Sequence, residues 1–462
     1  MGRNLHYFAP LYYLSMNSDI IIIGAGPGGY EMAADAAKNG LQVVIIEKSE
    51  AGGTCLNRGC IPTKALCRNA EVVNLLKEAE VWGVKAESIS LDYSVAYTRK
   101  NEVVAQLREG VEMLMKQPGI TYVNGEAAFE DAHTIIVNGE TYTASNIVIA
   151  TGSAPRGLPI EGTDLAMTSD DILAMDTLPK SLCIVGGGVI GMEFAAIFNS
   201  FGVEVSVVEF CKEILPPFDK DIAKRLKTVL SKRGININTQ AAVNGIHKTD
   251  DNMLEVTFDQ KGKAKSIIAE KVLMSVGRQA VLPAGIEKTG VTVGRRGIEV
   301  DDNMLTNVAG IYAIGDVNGR MMLAHAASAQ GARALHHIMG KEDSIDLNIV
   351  PSAVFTTPEL SMVGLTEEQC SEKEMDVTVK KSFFRSNGKA VSMGETDGLI
   401  KMIVCNQTRK IVGCHICGAH AADLIQEVVT AMNVGATVDT LASAIHGHPT
   451  LSEVVMATAK QF

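Results

Sequence analysis

The sequence predicts an α/β chain with two dinucleotide-binding βαβ units followed by a C-terminal α+β segment. Three observations predict it. Short apolar runs at residues 20–23, 147–150 and 183–185 have the length and composition of parallel strands buried on both faces. Two of these runs enter G-x-G-x-x-G turns, with Gly24, Gly26 and Gly29 in the first and Gly186, Gly188 and Gly191 in the second. From about residue 347 strand and helix patterns continue without such turns.

The 462 residues exceed what one core holds. A net charge of −11 and no Lys/Arg block exclude nucleic acid or an anionic membrane as the main partner. No apolar run approaches the roughly 20 residues of a membrane span. Nine cysteines without framework spacing fit a reducing compartment in which one dithiol is catalytic, hence a cytoplasmic location. Residues 1–16 carry Tyr7, Phe8, Pro10, Tyr12 and Tyr13 without periodicity, and are expected to be a disordered extension or to precede the true start at Met16.

In the first unit, residues 19–23 form a strand, residues 24–29 the turn, a helical pattern runs to Gly40, and a second strand ends at Glu47. Gly24 makes the turn, Gly26 admits a pyrophosphate, Gly29 lets helix pack on strand, and Glu47 reaches the ribose hydroxyls. Residues 52–64 read Gly-Gly-Thr-Cys-Leu-Asn-Arg-Gly-Cys-Ile-Pro-Thr-Lys. Read as lying one helical turn apart, Cys55 and Cys60 share a face and come within reach of a disulfide if the turn is slightly distorted, a store for two electrons. Their alternative is two ordinary small apolar residues. A helix starting near Cys55 would aim its dipole at sulfur and lower a thiol pKa.

Residues 69–117 read as long amphipathic helix, then residues 121–127 and 134–143 as strands of a hairpin-rich insertion turning at Asn138 and Gly139, and residues 147–152 as a separate strand. The second unit repeats the first: strand 183–185, turn 186–191, helix to Gly202, strand to Glu209. Two such turns with a dithiol after the first imply two cofactors that exchange electrons. Glu209 would hold a ribose diol and repel a 2′-phosphate, which favours NAD over NADP. Glu193, one turn into the second helix, is either a dipole-favoured acid or a functional one. The Cys414-His415-Ile416-Cys417 run has metal-ligand spacing, yet in a strand such positions face opposite ways, so buried thiols are expected and no metal. His448 and Glu453, in His-Gly-His-Pro-Thr-Leu-Ser-Glu, have the makings of a carboxylate-oriented base, and His446 reads as structural.

From about residue 19 to the C-terminus these motifs resemble the flavin-dependent pyridine nucleotide-disulfide oxidoreductases, most of all the members that oxidise dihydrolipoyl groups. The resemblance implies two Rossmann-like domains binding FAD and NAD and a C-terminal α+β dimerisation domain. Its divisions are 17–152 and 277–346 for FAD, 153–276 for NAD and 347–462 for the interface. It implies a redox disulfide between Cys55, the exchanging thiol, and Cys60, nearest flavin. Lys64 stands by the flavin, Glu193 by nicotinamide and Lys64, and His448 with Glu453 in the neighbouring subunit's site. FAD contacts fall on Ala127, Thr151, Gly152, Asp316 and Ala324, and Gly277 closes the NAD side. Gln279, Ala280 and Val281 replace a usual Pro-Asn after Arg278, and Ala326 and Gln330 replace a usual Lys and Glu. The implied partners are a lipoyl domain or lipoyl-carrier protein and a second copy of the chain. Alternatives are a glutathione or mercuric reductase on the same scaffold, or a flavoprotein docking subunit.

Overall fold

A computed structural model describes residues 16–85 and 88–462. Contacts divide the chain into two units. The first comprises the described part of Met1–Asn57 with Leu107–Ala154 and Gln279–Ile345, the second the described part of Arg58–Gln106 with Pro155–Arg278 and Asp346–Phe462. The expectation for residues 1–16 lies outside the described residues except at Met16, which opens the strand Met16–Ile23.

In the first unit the strand Met16–Ile23 is central, parallel to Val43–Glu47 on one side and to Glu140–Ile149 on the other. Burial on both faces explains its unbroken isoleucines: Ile20, Ile21 and Ile22 are fully buried. Two strands differ from the sequence reading. Ile120–Asn124 joins the main sheet parallel to Val43–Glu47, outside any hairpin. The separate strands expected at 134–143 and 147–152 are instead Thr134–Val137 and one ten-residue strand, Glu140–Ile149. The first residues of that long strand pair back antiparallel across the Asn138–Gly139 turn, where both φ angles are positive, and its end pairs parallel with Ile311–Ala313. The ladder carries through polar Ser145 and Asn146 because the parallel pairing with Met16–Ile23 continues past them, with Ala144 opposite Ser18 and Asn146 opposite Ile20.

In the second unit Asn236–Thr239, Glu204–Glu209, Ser181–Val185 and Lys271–Met274 make a parallel four-stranded sheet. A three-stranded antiparallel meander follows from Ala241–Lys248 to Lys263–Ala269. The C-terminal part is a five-stranded antiparallel sheet with Ile411–Gly418 at its centre, packed against the helix Ala421–Asn433. The expected long helix over 69–117 is two helices, Cys60–Lys77 and Tyr93–Leu114, because Gly83 ends the intervening turn Ala79–Trp82 at φ 73°. The architecture is the α/β class with a C-terminal α+β domain. Among the described residues no helix is long and apolar enough to cross a membrane.

Candidate functional site

The first glycine turn assigns its glycines to two tasks. Gly24 has φ +109°, and a Cβ there would lie 2.3 Å from Ala150 O; at Gly29 it would lie 2.0 Å from Gly24 O. These two pack the turn against the protein itself. Gly26 has ordinary dihedrals, φ −72° and ψ −179°, and a Cβ there meets nothing within 4 Å. It faces open space at the start of the helix Pro27–Lys38, where unpaired amides favour an anion. Glu47 ends the neighbouring strand, its Oε2 accepting from Ala25 N–H at 2.8 Å and its Oε1 from Ser49 N–H at 2.8 Å. Ala127 is buried just beyond Gly125, whose N–H reaches Glu47 O.

Thr151 and Gly152 follow the end of Glu140–Ile149. Thr151 Oγ1 donates to Val281 O at 2.5 Å, and Val281 N–H donates to Gly152 O at 3.0 Å. The segment that lacks Pro-Asn is therefore what fastens these two residues. Asp316 lies in the turn Gly315–Asn318 and accepts from Ser153 Oγ at 2.5 Å. Gln330, buried on the helix Ala324–Ile338, accepts from Gly315 N–H at 2.7 Å and Asn318 Nδ2 at 2.8 Å, so the amide at this position fixes the turn that carries Asp316. That helix begins at Ala324. Gly24, Gly26, Gly29, Glu47, Thr151, Gly152, Asp316 and Ala324 all belong to the first unit. Their donors, carboxylate and open turn fit an adenine dinucleotide such as FAD.

The second turn repeats the division. A Cβ at Gly186 (φ +107°) would lie 2.5 Å from Ser275 O and one at Gly191 2.1 Å from Gly186 O, whereas Gly188 and Gly277 face open space. Glu209 Oε2 accepts from Gly187 N–H at 2.5 Å and Oε1 from Cys211 N–H at 2.6 Å. The same features fit NAD.

The dithiol segment departs from the single helix of the sequence reading. Cys55 sits within the six-residue helix Gly53–Arg58, and Cys60 opens the 18-residue helix Cys60–Lys77. Gly59, at φ −147° and ψ −108°, breaks the path between them, so the shared helical face does not exist and the long helix's dipole meets Cys60. Both cysteines are half-buried. One turn on, Lys64 Nζ lies 3.0 and 2.9 Å from the Glu193 carboxylate oxygens and 4.6 Å from the Phe355 ring centre. Burial pulls the Lys64 pKa down, but Glu193 outweighs it and the net shift is upward, keeping the ammonium charged. Glu193 is buried and also accepts from Phe355 N–H at 2.9 Å. Cys67 Sγ donates to Phe355 O at 3.3 Å, with its pKa raised by burial. Phe355 and Cys67 were invisible as site residues in the sequence, since nothing in their spacing ties them to Lys64.

His448 is 78% exposed, with Nδ1 3.0 Å from Glu453 Oε1. The carboxylate's other oxygen accepts from Thr450 N–H at 2.9 Å, and backbone and histidine hydrogen bonds lower the Glu453 pKa. Asn387 Nδ2 donates to Thr450 O at 3.0 Å, and His446 Nε2 meets Glu427 Oε1 at 2.8 Å, so the loop is pinned on both sides of His448. Cys414 and Cys417 are fully buried strand residues whose pKa values burial raises, the latter to about 12.

Two nucleotide turns and a dithiol beside a long helix's start define a two-nucleotide thiol redox protein. Residues 18–331 match the pyridine nucleotide-disulphide oxidoreductases, and residues 350–459 match the dimerisation domain of the same proteins. The chain belongs to this family. It is 38% identical over 447 residues to a dihydrolipoyl dehydrogenase of Chlamydia pneumoniae, and 39% identical over 453 residues to one of Geobacillus stearothermophilus, covering 96% of both chains in each case. Among solved structures it resembles the HOCl-induced flavoprotein disulfide reductase RclA from Escherichia coli, with a TM-score of 0.85 and 31% identity, over 96% of this chain and 99% of that one. The cofactors are FAD and NAD.

Proposed function

We propose that the chain oxidises protein-bound dihydrolipoyl groups to lipoyl groups and reduces NAD to NADH. The observation that carries the reading is identity of 38–40% to dihydrolipoyl dehydrogenases along nearly the whole chain, joined to a second glycine turn whose strand ends in Glu209 with no arginine beside it.

Cys55 and Cys60 form the redox disulfide. A dihydrolipoyl thiol gives its proton to His448 and its sulfur attacks Cys55, breaking the Cys55–Cys60 bond. The second dihydrolipoyl sulfur displaces Cys55, the lipoyl S–S bond forms, and both cysteines are left reduced. Bound FAD supplies a two-electron relay between the dithiol and the nicotinamide. Two electrons and one proton end on NAD and the second proton goes to solvent. Gly24, Gly26, Gly29, Glu47 and Asp316 hold FAD, and Gly186, Gly188, Gly191 and Glu209 hold NAD. Lys64, kept charged by Glu193, stabilises negative charge close to Cys60.

His448, exposed in one chain, serves the site of a neighbouring copy with Glu453 orienting its ring. The working unit is then a C2 homodimer, acting in the cytoplasm on a lipoyl domain or lipoyl carrier. Anaerobic turnover of the flavin-loaded chain with dihydrolipoamide and NAD, beside glutathione disulfide with NADPH, tests the reading. Fast lipoamide formation abolished by Cys55→Ser supports it. Preference for glutathione disulfide and NADPH overturns the substrate while leaving the family intact.

A further inference from the structure

The Lys64–Glu193 pair is touched by a third residue that comes from neither of its helices. Phe355 follows the strand Ser352–Val354, whereas Lys64 lies on Cys60–Lys77 and Glu193 on Val189–Ser200. Its N–H donates to Glu193 Oε1 at 2.9 Å, and its ring centre lies 4.6 Å from Lys64 Nζ. Its carbonyl accepts from Cys67 Sγ at 3.3 Å. Burial raises the Cys67 pKa, so that thiol stays a donor.

The backbone around the ring is fixed on every side. Beyond the bonds to Glu193 and Cys67, Thr356 Oγ1 donates to Pro358 O at 2.6 Å and Arg233 Nη1 to Thr357 O at 2.8 Å. Lys64 is less constrained. Its side chain is 32% exposed, against 4% for Glu193, and both carboxylate oxygens hold it at 3.0 and 2.9 Å. Water reaches this ammonium, so the ion pair alone leaves it room to swing on its four-carbon stem. The ring face adds a second attraction, in a direction that the fixed peptide sets. Carboxylate and ring together define one place for the charge. Cys60 stands one turn earlier on the same helix, where side chains four residues apart are neighbours, so that place decides how near the charge lies to the Cys60 sulfur.

Resting on the reading of Lys64 as the charge that stabilises a Cys60 thiolate, we propose that Phe355 is a positioning residue of the redox site: its ring fixes the Lys64 ammonium beside Cys60. It acts through Lys64, and the three contacts of one residue tie that charge to the buried carboxylate and to the C-terminal segment at once.

A pH titration of the flavin-loaded, full-length chain, its Cys55–Cys60 pair reduced anaerobically with dithiothreitol, tests this without turnover. A Cys60 thiolate against oxidised flavin gives a long-wavelength charge-transfer absorbance, and the pH at half its maximum reads how well the thiolate is stabilised. Phe355→Leu keeps the peptide and removes the π face. In this variant the half-maximal pH should rise by about 0.5, the size of one partly exposed cation–π contact. Phe355→Tyr, which restores the ring face, should return it to the wild-type value. A merely structural role would lower the thermal midpoint of Phe355→Leu and leave the half-maximal pH where it was. An unchanged or lower pH in Phe355→Leu overturns the proposal, as does failure of Phe355→Tyr to restore it. If Phe355→Leu does not retain flavin, Phe355→Met carries the same comparison. Lys64→Gln separates the two levels of the argument. If it leaves the half-maximal pH unchanged, the reading of Lys64 itself falls; if it raises that pH while Phe355→Leu matches wild type, only the role of Phe355 falls.

Discussion

Replacing Lys401 by Met should destabilise the second unit strongly, and the structure gives the scale. Lys401 is fully buried on the strand Leu399–Cys405, with Nζ 3.0 and 2.8 Å from the two oxygens of Asp219, 2.7 Å from Asp221 and 2.5 Å from Glu367. Asp219 is also fully buried and caps the helix Lys220–Lys232 through Asp221 N–H at 3.0 Å. Methionine keeps the stem's volume and removes the charge, leaving a carboxylate with no exposed surface and no cation against it. Breaking a buried pair from one side costs about 3–5 kcal/mol. With two units and bound cofactors, unfolding is not two-state, so midpoints of flavin-loaded wild type and variant are compared alongside hydrogen exchange at the first turn of Lys220–Lys232. The pH dependence carries a sign. Burial opposes the charge on Lys401, but its three carboxylates raise its pKa, so its contribution is full below about 10.4, the unfolded value, and fades at higher pH. Burial pushes Asp221 up, but Lys381 and Lys401 bring it down to about 2, so its contribution is present above about 3.9 and is lost as pH falls towards 2. At neutral pH the penalty in Lys401→Met should be full, and it should shrink on acidification, beginning above about 3.9, because burial raises the pKa of the orphaned Asp219 carboxylate and protonation relieves it. A loss under about 1 kcal/mol at pH 7, or a penalty that grows on acidification, would refute the reasoning.

Two other outcomes follow from the site. His448→Gln should slow flavin reduction by dihydrolipoamide at least a hundredfold, the usual scale of general-base loss, while NADH oxidation by a one-electron dye, which bypasses thiol exchange, stays near wild type; stopped-flow absorbance that shows equal slowing of both would remove His448 as the base. Gly26→Ala and Gly188→Ala should both fold, because their dihedrals suit alanine and a Cβ meets nothing within 4 Å, but the first should lose flavin and the second should keep flavin and bind NAD poorly. Gly24→Ala should instead lower soluble yield, since its φ of +109° and the 2.3 Å approach to Ala150 O leave no room. Flavin absorbance and NAD titration of the three variants read the difference.

The glycine turns, their strands and Glu47 and Glu209 were legible in the sequence because local periodicity and turn chemistry alone specify a βαβ unit. What was not legible depends on partners distant in sequence. The strand Glu140–Ile149 reads as two strands in the sequence because only its neighbours Met16–Ile23 and Ile311–Ala313 show that the ladder continues from one to the other. Gln330 looked like a small departure until the hydrogen bonds to Gly315 and Asn318 gave it a task. Phe355 is tied to Glu193 across 162 positions and Asn387 to Thr450 across 63, spacings that no periodicity announces. The helix break at Gly59 was missed for a different reason: glycine between two helix-forming stretches permits both continuation and interruption, and local sequence does not choose.

That break bears on how two chemically identical thiols come to differ. Had residues 53–77 been one helix, Cys55 would have stood nearest its start and received its amide dipoles. As folded, Cys55 lies in a six-residue helix too short to build a macrodipole, and Cys60 takes the first position of 18 residues. Lys64 lies one turn further on the same helix, held charged by a buried Glu193. A thiolate at Cys60 therefore gains from helix and ammonium together, the helix alone giving about 0.3–1 kcal/mol. In a reduced pair the negative charge settles on the better-stabilised sulfur, leaving the other to be protonated, displaced and exchanged. This supports Cys60 as the electron-passing thiolate and Cys55 as the exchanging thiol. It locates the origin of the difference in a single glycine that interrupts a helix between them.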